Sequence, residues 1–316
     1  MKKILVTFLL TAAMAFSVSI VAAGYYIGNY LVDFGLVRGA ADNPQAPPRA
    51  YALLMPPGTW SYTRPEAPSE TWQIVSSDGL HLVATHFRPE RPRGNWVIIA
   101  HGYGCTQENS YYLAARYLAQ GYDVLTPDLR SSGGSEGRFV TMGLRESGDI
   151  VGWAQEIAAR SPEARIVLHG VSMGAATVML ASAAEALPSQ VVAVVEDCGY
   201  TSAYDLLAYQ MEASFRLPSF PGMNLLNWRC RSRAGFSLRE ASPVDAVRHA
   251  RVPVLFIHGT ADTLVPSSMA ETLYAACTSE KKLLLVPDAI HSAAAQKAPE
   301  LYDRTVAAFL RGKVHG

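Results

Sequence analysis

Ile166-Val167-Leu168-His169-Gly170-Val171-Ser172-Met173-Gly174-Ala175-Ala176 is the stretch on which the fold turns. An apolar run of the buried-strand kind leads straight into Gly-x-Ser-x-Gly and then into helix-forming residues, the context a nucleophile elbow requires. A tight strand-to-helix turn strains the backbone at the serine and brings neighbouring chain close, so Gly170 and Gly174 stand where a side chain would obstruct it. The Ser172 hydroxyl then projects outward at a helix N-terminus, where developing negative charge is stabilised. A structural serine in a turn is the plainer alternative, and the strand before and the helix after argue against it.

Similar apolar runs recur on either side, at 95–100, 122–127, 165–169, 191–196, 253–258 and 282–286. Two further runs, 71–75 and 80–87, flank Ser76-Ser77-Asp78-Gly79, a hairpin-turn signal. Helical stretches at 111–120, 144–159, 172–187, 267–277 and 300–311 alternate with them. The alternation predicts an α/β fold with an eight-stranded, mostly parallel sheet, helices on both faces and an antiparallel hairpin at its start. One interval breaks the rhythm: between Asp197 and Pro253 the chain spends about 55 residues where such a connection needs far fewer. The interval carries Tyr204, Met211, Phe215, Phe220 and Trp228, more apolar than a plain surface loop, and reads as a small lid insertion over about 198–245. An ordinary helix and tail packed on the sheet is the alternative.

Four more motifs lie at strand ends. They are His101-Gly102-Tyr103-Gly104, then Asp128-Leu129-Arg130-Ser131-Ser132-Gly133-Gly134-Ser135, then His258-Gly259-Thr260-Ala261-Asp262-Thr263-Leu264-Val265-Pro266, and Ala289-Ile290-His291. With the elbow, in this order, they make residues 70–312 resemble the α/β-hydrolase superfamily, in its branch of serine aminopeptidase-like and prolyl-oligopeptidase-like esterases. The resemblance implies the α/β-hydrolase fold and a triad in the chain order Ser…Asp…His. Ser172 is then the nucleophile and Asp262 the acid. His291, alone of the eight histidines in a loop after the last strand, is the general base and acid. Glu196 and Asp197 close an earlier strand, and the acid comes from there in some members; Asp197 otherwise serves a turn or loop backbone. The resemblance also implies an oxyanion hole built from the backbone N–H groups of Tyr103 and Met173. The Tyr103 side chain either bounds the acyl site or packs beneath the lid. Asp128 and Arg130 are read as loop-fixing residues.

Composition bounds what surrounds this domain. Hydrophobic residues make up 49% and charged residues 17% of the 316, enough for a core, which excludes wholesale disorder. Lys plus Arg and Asp plus Glu are each 27, so no basic excess exists to neutralise a nucleic acid. Cys105, Cys198, Cys230 and Cys277 contain no Cys-x-x-Cys pair, which excludes zinc-ribbon spacing; they are read as small core residues, with a bridge as the alternative. No charge occurs between Lys3 and Asp33, so residues 4–32 read as a membrane anchor within an N-terminal segment 1–34. The length of the run and its tyrosines favour a single-pass anchor with the catalytic domain outside the cytoplasm, over secretion after cleavage near Ala23. Pro-rich residues 35–69 read as a linker, and residues 70–316 as the catalytic domain.

These readings predict a serine hydrolase that cleaves carboxylic esters through an acyl-enzyme and implies neither metal nor organic cofactor. A peptidase acting on short peptides is the runner-up, with Glu212 and Glu240 the lid acids that could catch an amino terminus. A non-catalytic binding protein of the same fold is the alternative from another class. Dehalogenase chemistry is disfavoured because Ser172 stands where those relatives need Asp.

Overall fold

The computed structural model describes residues 2–39, 43, 45–51, 63–214 and 216–315. Eight strands form one sheet: β1 (Ser69–Val75), β2 (His81–Phe87), β3 (Asn95–Ala100), β4 (Asp123–Pro127), β5 (Arg165–Val171), β6 (Val191–Asp197), β7 (Val254–Gly259) and β8 (Lys281–Val286). Their spatial order is β1-β2-β4-β3-β5-β6-β7-β8. Only β2 runs against its neighbours, so the opening hairpin sits at one edge of an otherwise parallel sheet.

The helices are α1 (Lys2–Gly35), α2 (Tyr111–Leu118), α3 (Leu144–Arg160), α4 (Met173–Ser182), α5 (Ala203–Ala213), α6 (Ser219–Arg229), α7 (Pro243–Val247), α8 (Ser268–Ala276), α9 (Ala294–Lys297) and α10 (Pro299–Leu310). The period of two along each strand sorts side chains to two faces. Trp96 and Ile98 of β3 and Ile166 and Leu168 of β5 pack beneath Ile150, Trp153 and Ile157 of α3. Their neighbours Val97, Ile99 and Val167 face Leu113 and Tyr117 of α2 and Tyr302 and Phe309 of α10. Burial on both faces is why these strands read as unbroken apolar runs.

After β3 the chain turns to β4 on one side, and after β5 to β6 on the other, so β3 and β5 diverge at a topological switch point. The crevice above the carboxyl ends of such strands is where α/β sheets bind ligands. α5, α6 and a π-type turn at Cys230–Ala234 follow the carboxyl end of β6, and α7 leads into β7. Their Leu206, Met223, Leu226, Cys230 and Phe236 are buried in the main core, whereas Leu217, Phe220 and Trp228 are exposed.

The N-terminal helix corrects the reading of residues 4–32 as a membrane anchor. Among the described residues no helix is long and apolar enough to cross a membrane, and the single-pass topology is overturned with it. The physical reason lies at the carboxyl end of α1, one side of which packs on protein while Tyr26, Ile27 and Tyr30 stay exposed. Val32 and Leu36 are buried in the main core cluster. Gly24 and Gly28 let α1 approach α6 closely, since a Cβ on Gly28 would lie 2.4 Å from Arg229 Cγ and 3.1 Å from the Leu225 carbonyl. Asn29 Oδ1 accepts hydrogen bonds from Arg229 and Arg233, and Asp33 pairs with Arg233 at 2.7 Å. Much of the Pro-rich stretch read as a linker, including 52–62, lies outside the described residues. Of the remainder, Val37 bridges to Phe139, and Arg38 donates to the carbonyls of Gly133 and Ser135.

Candidate active site

β5 ends at Val171 and α4 begins at Met173, so Ser172 makes the turn, with φ 57° and ψ −116°. A backbone of this kind costs about 1–3 kcal/mol and persists only where surroundings enforce it. Two close approaches do so. A Cβ on Gly170 would lie 2.0 Å from the Gly174 carbonyl oxygen, and one on Gly174 would lie 2.0 Å from that of Ala100. The Ser172 N–H also donates to the Asp197 carbonyl at 2.8 Å, tying the turn to the end of β6.

The loop after β8 brings His291 to this serine. His291 Nε2 lies 2.9 Å from Ser172 Oγ, and its Nδ1 lies 2.7 Å from Asp262 Oδ2. A carboxylate only accepts, so the imidazole proton sits on Nδ1 and Nε2 is free to take the serine proton. Asp262 is buried and well supplied with donors: Oδ1 accepts from the N–H groups of Leu264 at 2.9 Å and Val265 at 2.8 Å. Burial works against its charge, yet hydrogen bonds from His258 and His291 outweigh it and hold the carboxyl down at about 2. The loop carrying His291 packs tightly beneath Asp262, since a Cβ on Gly259 would lie 2.2 Å from the Ala289 carbonyl.

The loop after β3 lies against the other flank of Ser172, a Cβ on Gly102 falling 3.5 Å from Ser172 Cβ. Its peptide is oriented by a histidine. The Leu129 N–H donates to His101 Nε2 at 3.0 Å, so the ring proton is on Nδ1, which donates to the Gly102 carbonyl at 2.8 Å. Burial pushes this imidazole toward its neutral form. The Cys105 N–H reaches the same carbonyl at 3.3 Å. In a planar trans peptide, holding the Gly102 C=O aims the Tyr103 N–H the opposite way. The Tyr103 side chain leaves the loop and donates to the Gly35 carbonyl at 2.6 Å, so it packs against α1.

Asp197 serves a different network. Its Oδ2 accepts from the Tyr302 hydroxyl at 3.0 Å, and that hydroxyl and Tyr117 bracket His169 at 3.1 and 3.0 Å. Burial pushes His169 down to about 3, which leaves a neutral ring between two phenols. Asp128 accepts from Gln107 and Gly134, and Arg130 grips Asp149 and Asp78, so both organise the Gly-rich loop. Cys198 Sγ, Asp262 and His291 offer atoms within 4.8 Å of one another; the latter two are already hydrogen-bonded together. All four cysteines are free thiols. The sequence assigns no role to the rings of His101 and His258, which the fold brings beside the Gly102 carbonyl and Asp262. A histidine four residues before the acid, in His258-Gly-x-x-Asp262, is the signal that could have marked the second.

A sequence profile described as the prolyl oligopeptidase family matches residues 108–316. The uncharacterized protein YqkD of Bacillus subtilis is 31% identical over 238 residues, which cover 75% of this chain and 77% of YqkD. The uncharacterized protein YfhR of Salmonella typhi is 28% identical over 239 residues, covering 71% and 75%. Among solved structures, an esterase of Pyrococcus furiosus superposes with a TM-score of 0.64 at 22% identity over 82% of this chain and 96% of its own. An acylaminoacyl peptidase of Pyrococcus horikoshii does so with a TM-score of 0.59 at 18% identity, over 80% of this chain and 43% of its own. At these identities the structures establish the α/β-hydrolase fold.

Proposed function

The chain belongs to the prolyl oligopeptidase family of hydrolases, and from that premise we propose that it is a serine hydrolase cleaving carboxylic esters through an acyl-enzyme. The observation that carries this reading is the unbroken relay from Ser172 Oγ through His291 to Asp262, at 2.9 and 2.7 Å. Ser172 Oγ attacks the ester carbonyl carbon as its proton passes to His291 Nε2. The carbonyl oxygen gains negative charge facing the N–H groups of Met173 and Tyr103, with the amino end of α4 adding its favourable dipole. His291 returns the proton to the departing alkoxide and then takes one from the water that releases the acid. Asp262 keeps the ring proton on Nδ1 and stabilises the imidazolium. This chemistry calls on no metal or organic cofactor.

Within the catalytic domain, 70–316, the insertion 198–245 acts as the lid. Exposed Leu217 and Phe220 on the lid, and Ile290 beside His291, favour an apolar acyl or aromatic group over a charged metabolite. Peptidase action on short peptides is the second reading, favoured by the family profile. Against it, Glu240 accepts from the Ser237 N–H at 2.8 Å within its own turn and Glu212 is exposed to solvent. Neither stands as a prepared site for an amino terminus.

Hydrolysis of nitrophenyl esters of graded chain length, beside aminoacyl nitroanilides, tests the proposal on the full chain. Ester turnover and fluorophosphonate labelling that both vanish in Ser172→Ala are expected. Turnover of the anilides alone would replace esterase by peptidase, and an unlabelled wild type would overturn the serine mechanism.

A further inference from the structure

The loop that carries the Tyr103 N–H is held from two sides. On the inner side, Gly102 abuts Ser172, and its carbonyl is fixed by His101 and Cys105. On the outer side, Tyr51 and Gly35, both from chain that precedes β1, bear on it. Gly104, at φ +68°, leaves its side-chain position to the Tyr51 ring, since a Cβ there would lie 2.3 Å from Tyr51 Cδ2. The Tyr103 hydroxyl donates to the Gly35 carbonyl at 2.6 Å. Gly35 is the last residue of α1, where a helix leaves its carbonyls without internal partners. Burial holds the phenol in its protonated, donating form.

The same helix is fastened to the lid. Gly24 packs against Leu225, Gly28 against Arg229, and Asn29 Oδ1 accepts from Arg229 Nη2 at 2.8 Å and Arg233 Nη1 at 3.2 Å. The ring of Tyr25 lies beneath the Arg229 guanidinium, 4.4 Å from ring centre to Cζ. One rigid helix therefore touches α6 with one turn and the oxyanion loop with another.

Resting on the serine-hydrolase reading above, we propose that the Tyr103 side chain is a positioning group: it couples α1, and through α1 the lid, to the backbone donor that receives the oxyanion. The position of the lid and the aim of the Tyr103 N–H then change together. Small displacements of a catalytic donor are costly, and an error of about 1 Å is worth about a hundredfold in rate.

Tyr103→Phe removes the hydroxyl and leaves the backbone donor in place. Per active site titrated with fluorophosphonate, kcat is expected to fall about tenfold with KM within about twofold. Affinity for an alkyl trifluoromethyl ketone, which forms a tetrahedral adduct on the serine, is expected to fall in the same proportion. Asn29→Leu supplies a second variant remote from the reacting atoms. It is expected to lower kcat in the wild-type background and to add little in the Tyr103→Phe background, because both act through one link. Wild-type kcat and ketone affinity in Tyr103→Phe, or additive effects in the double variant, would overturn the coupling. Failure of the serine reading is separate, since it would appear as an unlabelled wild-type protein before any variant is compared.

Discussion

His258 stands 3.2 Å from Asp262, its Nε2–H shared between Asp262 Oδ2 and the Val265 carbonyl at 2.8 Å. A carbonyl only accepts, so the proton is on Nε2, and the acid facing His291 is supported from behind by a second imidazole. Burial disfavours charge on His258, but the bond to Asp262 and the nearby Glu196 carboxyl raise it above the usual histidine range. The acid is thus surrounded by donors on both oxygens.

Asp262→Asn is expected to lower kcat by about four orders of magnitude, because an amide cannot hold the imidazole in the right tautomer. Asp197→Asn is expected to stay within about tenfold of wild type, because the Asp197 carboxyl is engaged by Tyr302 and not by His291. Steady-state ester hydrolysis by the two variants, each normalised to titrated sites, distinguishes them. A large loss in Asp197→Asn with a small one in Asp262→Asn would put the acid at the end of β6.

Glu196 and Asp197 are buried side by side, and burial pushes their carboxyls up to about 8 and about 6. An acid whose folded pKa lies above its unfolded one holds a proton that the unfolded chain has released. Stability then falls as pH rises, between 4.5 and about 8 for Glu196. The slope is at most about 1.4 kcal/mol per pH unit for each group. The raised pKa of His258 acts in the same direction, its contribution being lost as pH rises through the folded value. Asp262, held at about 2, loses its contribution only at the acid extreme. Urea midpoints are therefore expected to decline from pH 5 to pH 8, and to decline less in Glu196→Gln. An equal slope in both proteins would refute the assignment.

Gly170→Ala and Gly174→Ala each place a methyl group about 2 Å from a carbonyl oxygen in the backbone, where no side chain can swing aside. Each is expected to cost about 3 kcal/mol or more and to abolish fluorophosphonate labelling even in the fraction that stays folded. Chemical denaturation and labelling on the same samples provide the check. A stable, fully labelled Gly174→Ala would contradict the packing of the elbow against β3.

The sheet was legible because its strands are buried on both faces. Trp96 to Ala100 and Val191 to Val195 are apolar without alternation, and Asp78-Gly79 marks the opening hairpin. The meeting of Ser172, Asp262 and His291 could be anticipated because each ends a strand or follows one in a known order. The N-terminal helix was misread for a physical reason: an uncharged apolar run looks the same whether lipid or protein is to receive it. What distinguishes the two here is Arg229 and Arg233 reaching Asn29 and Asp33, pairs 200 residues apart that no local pattern exposes. The role of His101 was hidden likewise, because the direction of one ring proton depends on Leu129, a contact made only by the fold.

That separation of 200 residues between Asn29 and its arginine also shapes how the chain is made. At about 5–20 residues per second, synthesis needs roughly 10–40 s to deliver the arginines after the helix has emerged. Throughout that interval Asn29 and Asp33 lack the arginines that hold them, so the docking of α1 on α6 is completed late in synthesis. The last turns to be secured in the folded molecule are among the first to be born.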